Sequence, residues 1–345
     1  MRRHPLITAA VVLVVLIVAH AIYWFVLAHI VAKDIVDWAN QQRAQGFIVS
    51  YGEPEIGGFP GPVRAYLANP DIAAPGSLWH WQGPEVELRV PPWAPLDLLF
   101  SAPGHHHLTL AGSAPRDIVF DADDFRLGLN LDRSGQLTDF SLDVSAVKLT
   151  DNQSGESRLD TGKIEGHLPW PAAPSPDLSS LDATIDAAGI VLPPTVKTAL
   201  GQKIATLHLV AQVMGAVPPA LPREALAGWR DGGGIVQLRE SQIGWGPLLA
   251  GGEGTIALDQ DMQPLAAGTV RIAGLGETLD ALIAAGMVQP GPAKLVQAMF
   301  GALAQPPAGG GLPEVKLPLS IQNGFVYMGP IKLAPLQPLD WSGLP

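Results

Sequence analysis

Residues 125–145 read FRLGLNLDRSGQLTDFSLDVS, and this stretch decides the fold. Apolar residues occupy every second position from Phe125 to Leu131 and again from Phe140 to Val144, with mostly polar residues between them. A period of two is typical of half-buried strands. Because Ser134-Gly135 lies between the two runs, the stretch predicts a β-hairpin in an antiparallel sheet with one apolar face.

The same period of two recurs on both sides of this hairpin. It predicts further strands at residues 48–51, 63–67, 86–90, 181–185, 204–213, 235–238, 253–259 and 268–272. Near the C-terminus, Asn323-Gly324 separates two apolar runs and is a strong hairpin signal. Helical spacing of apolar residues predicts two short helices, near residues 279–286 and 295–300. The chain is therefore predicted to be mainly β, with a long, curved antiparallel sheet or sheets and a few short helices after an N-terminal transmembrane helix.

The domain organisation follows from a proline-rich stretch in the middle of the chain. Residues 169–176 read PWPAAPSP, and because proline lacks an N–H it cannot donate to a sheet ladder. We expect residues 1–30 to form a membrane anchor and residues 31–168 a first β-rich half. Residues 169–177 would be a linker, and residues 178–345 a second β-rich half with two short helices.

The predicted anchor is the run from Leu6 to Leu27, LITAAVVLVVLIVAHAIYWFVL, which carries no formal charge. A helix needs about 20 apolar residues to cross a bilayer. Arg2 and Arg3 precede the run, as expected of a cytoplasmic flank, and aromatic residues lie near its far end. The sequence thus predicts a single-pass inner-membrane protein with its N-terminus in the cytoplasm and its body in the periplasm.

A cleaved signal peptide is the alternative interpretation of this segment. Ala19-His20-Ala21 fits the small-x-small cleavage pattern, although the apolar run continues past it to Leu27. Both alternatives export the rest of the chain. Beyond the run, residues 30–43 fit an amphipathic helix whose apolar stripe either packs on the body or lies among the lipid headgroups.

Composition excludes several classes of function. The formal net charge is −11, which argues against a nucleic-acid partner, because binding phosphate requires a basic face. Charged residues make up 15% of the chain, against about 25% in ordinary proteins. Sparse charge permits an apolar cavity, a membrane-facing side or an obligate partner. The absence of cysteine excludes disulfides, thiol catalysis and cysteine metal sites.

The candidate chemical motifs are better explained by structural roles than by catalysis or metal binding. His105-His106-His107 is the densest cluster, but consecutive residues of a strand point to opposite faces, which argues against a shared metal ion. Residues 121–124 contain three aspartates without the glycine and glutamate of a calcium loop. The glycine-rich stretches match no nucleotide-binding motif, and no GxSxG sequence is present. We therefore expect no catalytic residue, no cofactor and no metal site.

One set of motifs resembles a known family. It consists of Gly57-Gly58-Phe59-Pro60 followed by Arg64, then Trp79 to Trp81, then Pro92-Trp93-Ala94-Pro95-Leu96. With the N-terminal anchor, these residues resemble an uncharacterised bacterial envelope family, domain of unknown function 2125, over nearly the whole chain. The family motif is usually a tighter GFPxR, which Gly61-Pro62-Val63 lengthens here.

A second resemblance concerns the last hundred residues. The run from Ile243 to Leu258, the short helices and the closing Asn323–Pro330 are similar to the ends of AsmA-like envelope proteins. This resemblance implies an inner-membrane anchor and a β-rich groove that handles lipids. The motif residues singled out by the two resemblances are Gly58, Phe59, Pro60, Arg64, Trp93, Pro95, Asn323 and Gly324.

Together these observations predict a non-catalytic envelope protein that binds lipid or aids lipid or protein assembly. The alternative is an anchored scaffold that binds other envelope proteins and has no lipid cavity. An open apolar trough favours the first function, and a fully self-packed sandwich favours the second.

Overall fold

A computed structural model describes residues 4–112, 115–169, 175, 177–216, 223–304 and 312–339. The protein is mainly β, as predicted, and its chain divides into two compact units, Met1–Gly155 and Glu156–Pro345. The predicted linker at residues 169–177 lies largely outside the described residues.

The first unit begins with one long helix, α1 (His4–Ala44). The predicted anchor and the predicted amphipathic helix are therefore continuous rather than separate, because no glycine or proline interrupts residues 6–44. The strands that follow are β1 (Ile48–Ser50), β2 (Glu55–Gly57), β3 (Val63–Leu67), β4 (Asp71–Ala73), β5 (Trp79–Gln82), β6 (Val86–Val90), β7 (Asp97–Ser101), β8 (Gly104–Leu110), β9 (Arg116–Ala122), β10 (Asp124–Leu131) and β11 (Leu137–Asp151). A 3₁₀ turn, Pro75–Ser77, precedes β5.

The sheet of this unit forks at β11, which pairs along one part of its length with β9 and along another with β10. One branch runs through β9, β8, β5 and β4 to β1. The other runs through β10, β7, β6 and β3 to β2. Since α1 contacts β1 in one branch and β2 and β3 in the other, the helix lies against the ends of both branches.

The core of the first unit forms between α1 and the second branch. Its buried side chains are Trp24, Leu27, Ala28, Val31, Val63, Ala65, Leu88 and Val90. The helix contributes residues spaced three or four apart, and β3 and β6 contribute every second residue. The helical spacing of α1 and the alternation of the strands thus place one apolar stripe of the helix against one apolar face of the sheet.

The second unit is an antiparallel meander in which each strand pairs with the next. Its strands are β12 (Gly155–His167), β13 (Ser179–Val191), β14 (Lys203–Met214), β15 (Ile235–Trp245), β16 (Leu248–Leu258), β17 (Pro264–Ala273), β18 (Glu314–Gln322), β19 (Phe325–Met328) and β20 (Ile331–Pro335). The predicted helices are α3 (Leu275–Ala284) and α4 (Pro290–Leu303). A further helix, α2 (Arg223–Asp231), was not predicted; its Trp229 indole donates to the Met214 carbonyl oxygen at 2.8 Å.

Both predicted hairpins are confirmed. Strands β10 and β11 pair around Ser134-Gly135, where the Asp132 carboxylate accepts bonds from the backbone N–H groups of Ser134 and Gln136. Gln322 pairs with Phe325 around Asn323-Gly324, whose φ angles of 52° and 71° are both in the left-handed region. This is the turn geometry that an Asn-Gly pair favours between two strands.

Candidate functional site

A cavity of the first unit lies between α1 and the sheet. The helix lines it with Leu27, Ile30, Val31, Asp34, Ile35 and Trp38. These positions recur at intervals of three and four, so they form one stripe along the helix. The stripe that the sequence predicted as either packed on the body or lying in the headgroups therefore faces the body.

The opposite wall is the apolar face of both sheet branches. Val86, Leu88 and Val90 of β6 point into the cavity, whereas Glu87 and Arg89 lie on the other face. The remaining wall residues are Val49, Ser50, Tyr51, Leu67, Pro70, Ile72, Trp81, Pro95, Leu98 and Phe100. The alternation predicted these strands, but it did not reveal that they surround a common space with α1.

This chamber has a volume of about 510 Å³, which lies within the usual range for small-molecule sites, about 300–1,000 Å³. Asp34 is the charged residue of its lining, and nearly all of the other lining side chains are apolar. Ile30 and Trp38 are each 46% exposed, so the chamber opens along one side of α1. The arrangement suits an elongated apolar ligand better than a polar one.

The loop after β2 fastens the sheet to the helix just before the chamber begins. The Trp24 indole N–H donates to the Gly61 carbonyl oxygen at 2.8 Å, and His20 Nε2 contacts the Pro60 carbonyl oxygen at 2.9 Å. The Phe59 ring packs edge-on against Trp24, 5.5 Å between centroids, and stacks on Phe25. The peptide bond between Phe59 and Pro60 is cis.

Gly58 is required at this loop for two reasons. Its φ of 106° is unfavourable for residues with a side chain, and a Cβ atom there would lie 2.0 Å from the Pro62 carbonyl oxygen. The same Cβ would lie 3.3 Å from Arg64 Cγ, so the stem of Arg64 passes over the glycine.

A second loop, between β6 and β7, meets the same part of the helix. The Tyr23 hydroxyl donates to the Pro92 carbonyl oxygen at 2.9 Å. Trp93 is 72% exposed, and Pro95 lines the chamber. The structure thus brings together the motif residues of both loops at α1, whereas Asn323 and Gly324 form a turn of the second unit.

Arg64 belongs to a small charged cluster on the face of the sheet away from the chamber. Arg89 donates two hydrogen bonds to the Glu87 carboxylate, at 2.8 and 2.6 Å, and Arg64 Nε lies 3.6 Å from it. The bonds from Arg89 lower the pKa of Glu87, so this carboxylate stays ionised. Arg64 Nε is buried and has no hydrogen-bond partner among the described residues.

The three consecutive histidines of β8 alternate across the sheet. His106 is 1% exposed; its ring stacks on Phe120 at 4.2 Å and its Nε2–H donates to the Ala102 carbonyl oxygen. Burial lowers the pKa of the His106 imidazole, which keeps the ring neutral. His105 and His107 pair on the other face with Asp121 and Asp117.

The aspartates near these histidines have structural partners. Asp121 pairs with His105, and Asp124 pairs with Arg126 at 2.6 Å. Within the part of the chain that the structure describes, no group of three or more His, Asp or Glu side chains is placed to hold a metal ion.

Asp151 is a buried carboxylate whose pKa is strongly lowered. Its side chain is fully buried and accepts bonds from Arg116, the Gln153 N–H and the Ser154 hydroxyl. The Arg116 guanidinium, above all, lowers the pKa of Asp151 to about 2. Asp151 thus fastens the end of β11 to the start of β9.

The sheet of the second unit also has one apolar face. In the register of β13 to β18, one row across the strands reads Leu181, Val213, Val236, Ile256, Ala266 and Ile321, and another reads Ala187, Leu207, Ile243, Ala250, Ile272 and Val315. Most of these side chains are only half-buried, and Ile256 is exposed. This face is therefore incompletely covered by the described residues.

Helix α1 has the length and composition of a membrane span. Among the described helices it is the one that is long and apolar enough to cross a membrane. Only a small share of its most apolar segment is buried. Side chains from Ile7 to Val18 are exposed, whereas burial begins at Trp24 and continues through Leu27, Ala28 and Val31. The contacts with the body begin at His20, so the last residues of the predicted anchor, Leu6 to Leu27, already lie against the first unit.

Comparison with known proteins identifies a matching family. The model of a family described as an uncharacterized protein conserved in bacteria (DUF2125) matches residues 24–337. No curated protein and no solved structure matches the chain. The similarity of the last hundred residues to AsmA-like proteins stays a prediction.

Proposed function

This chain belongs to the DUF2125 family of bacterial proteins, and from that premise we propose that it is a membrane-anchored protein that binds lipid. An acyl chain of a membrane lipid would occupy the chamber beside α1, without any bond being made or broken. The anchor would lie in the inner membrane with the N-terminus in the cytoplasm, and both units would lie in the periplasm.

The observation that carries the proposal is the position of the chamber on α1. Twenty residues from Leu6 to Phe25 span about 30 Å, the thickness of the hydrocarbon core. The chamber begins at Leu27 and continues to Trp38, about 16 Å further along the same helix. An acyl chain that leaves the adjacent leaflet thus enters apolar surroundings directly.

Energetics favour exchange with the membrane over permanent capture. Each methylene sheltered from water is stabilised by about 0.8 kcal/mol. The bilayer shelters the same methylene equally well, so transfer between bilayer and chamber is nearly neutral. A chamber of this kind holds a lipid chain out of water and releases it again at little cost.

The lining supports binding rather than catalysis. Its polar side chains are Asp34, Ser50 and Tyr51, and among the described lining residues Asp34 has neither a histidine nor a second carboxylate beside it. The half-exposed apolar face of the second unit offers further surface on which acyl chains lie.

Photo-crosslinking of the full chain tests the proposal. The protein is placed in phosphatidylethanolamine–phosphatidylglycerol vesicles that contain a phospholipid with a diazirine at the end of one acyl chain, and labelled peptides are mapped by mass spectrometry. We expect adducts on Ile72 and Phe100, which line the chamber from the sheet and lie outside residues 6–25. Adducts confined to residues 6–25 would refute lipid binding in the chamber.

A separate measurement tests the location. A C-terminal fusion to alkaline phosphatase, which is active only outside the cytoplasm, should be active in cells. An inactive fusion together with an active cytoplasmic reporter would overturn the proposed topology. If the topology holds and the chamber takes no label, the scaffold function is favoured instead.

A further inference from the structure

Two loops of the first unit are fixed to α1 at the height where the span ends. Gly58–Pro62 is held through the carbonyl oxygens of Pro60 and Gly61, and the loop after β6 is held through that of Pro92. The helix groups that hold them belong to His20, Tyr23 and Trp24, the last turn or so of a 20-residue span.

Each loop exposes a large aromatic side chain at this height. Phe59 is 49% exposed although its ring packs on Trp24 and Phe25, and Trp93 is 72% exposed. Exposed aromatic rings are unfavourable in water, whereas the headgroup region of a bilayer accepts both their apolar bodies and their polar edges.

Positive charge lies beside the first loop. The stem of Arg64 lies against Gly58, and Arg64 and Arg89 flank Glu87 on the face of the sheet that also carries Glu55. Guanidinium groups on apolar stems are suited to the level of lipid phosphates, because the stem is sheltered while the charged end meets the phosphate.

We propose that Gly58–Pro62 and Pro92–Leu96 form a membrane-docking surface, with Phe59 and Trp93 in the headgroup region of the bilayer that α1 spans. The surface sets the first unit directly on the membrane, with the start of the chamber at the lipid surface. The inference rests on the anchoring part of the proposed function and is independent of whether the chamber binds lipid.

The geometry favours the bilayer as the partner of this docking surface. The loops are attached within the last residues of the span, so they cannot stand away from the interface while Leu6–Phe25 crosses the membrane. A protein partner at this height would itself have to enter the headgroup region.

The chain has no cysteine, so single-cysteine variants give clean labelling sites. Trp93→Cys and Phe59→Cys place a polarity-sensitive dye on the surface, and Val14→Cys places one in the middle of the span. Leu78→Cys is the matched control, since Leu78 is 65% exposed and precedes Trp79, whose ring packs on Phe47, the residue after Gly46 at the far end of α1. Gly46 lies about 30 Å beyond Phe25 along the helix direction.

The labelled full-length variants are reconstituted in phosphatidylethanolamine–phosphatidylglycerol vesicles with bromine on defined acyl carbons. We expect blue-shifted emission and at least two-fold quenching at Trp93→Cys, by shallow bromines more than by deep ones, and none at Leu78→Cys. Phe59→Cys should behave like Trp93→Cys; the latter is decisive because Trp93 contributes little packing.

The other outcomes distinguish the docking surface from the anchor and from lipid binding in the chamber. If Val14→Cys is quenched by deep bromines while Trp93→Cys behaves like Leu78→Cys, the docking surface is refuted and the anchor stands. If Val14→Cys is not quenched, the anchor and the docking surface both fail. Quenching at Trp93→Cys with an unlabelled chamber in the crosslinking experiment supports the docking surface and refutes lipid binding.

Discussion

Filling the chamber with protein should exclude long acyl chains, and Val86→Trp is the substitution that tests this. At roughly 30 Å³ per water-sized group, the 510 Å³ chamber has room for about 17 such groups, close to the length of a membrane acyl chain. Tryptophan has about seven more non-hydrogen side-chain atoms than valine, so the variant leaves room for about ten groups. Val86 is half-buried at the start of β6 and is not part of the buried core, so the larger ring has space to enter the chamber.

The expected effect depends on chain length. A chain of about 16 carbons would leave about six methylenes outside the chamber; those that stay in the bilayer cost nothing, but each one in water costs about 0.8 kcal/mol, so two of them in water already cost about 1.6 kcal/mol. Since about 1.4 kcal/mol corresponds to a tenfold change, labelling of Ile72 and Phe100 by a long diazirine chain should fall by more than tenfold. A chain of about ten carbons should label them as in the unsubstituted protein.

The assay compares the two chain lengths in Val86→Trp and in Val196→Trp, which makes the same change at an exposed position of the second unit. Thermal unfolding verifies that Val86→Trp remains folded; overpacking of a core would cost about 1–3 kcal/mol. Equal loss of long and short chains in a folded Val86→Trp protein would show that labelling does not report chamber occupancy. Undiminished labelling by the long chain would refute the assigned volume.

Three further predictions concern stability, each measured by thermal unfolding of the full chain in detergent micelles. Because the folded pKa of Asp151 is about 2, below its usual 3.8, its stabilising contribution is present above about pH 4 and lost as the pH falls towards 2. In Asp151→Asn, the unfolding temperature should therefore fall less steeply between about pH 4 and pH 2, and an unchanged pH dependence would contradict the reasoning. Trp24→Phe removes one hydrogen bond and should cost about 1 kcal/mol, whereas Trp93→Phe should cost little; equal costs would argue against loop fastening. Gly324→Ala should cost about 1–2 kcal/mol because φ is 71°, whereas Gly276→Ala, inside α3 with open space around it, should be neutral or stabilising.

Much of the fold could be predicted because its signals are local. The strands at residues 63–67 and 86–90 have the predicted bounds, and both turns lie where Ser134-Gly135 and Asn323-Gly324 indicate. Each of these signals involves neighbours within a few positions. Helix α2 was missed because it is short, polar and interrupted by Gly228, and it is held by a contact of Trp229 with the strand before it.

The sequence by itself determined an apolar helix, strands with one apolar face and a chain with little charge, because periodicity and composition depend only on residue order. Only the tertiary structure decided that the stripe from Leu27 to Trp38 faces both branches of a forked sheet across an unfilled space. It also decided that the loops at Phe59 and Trp93 meet α1 at one height. These features join residues about 40 to 70 positions apart, and a cavity depends on which side chains fail to meet, which no local pattern encodes.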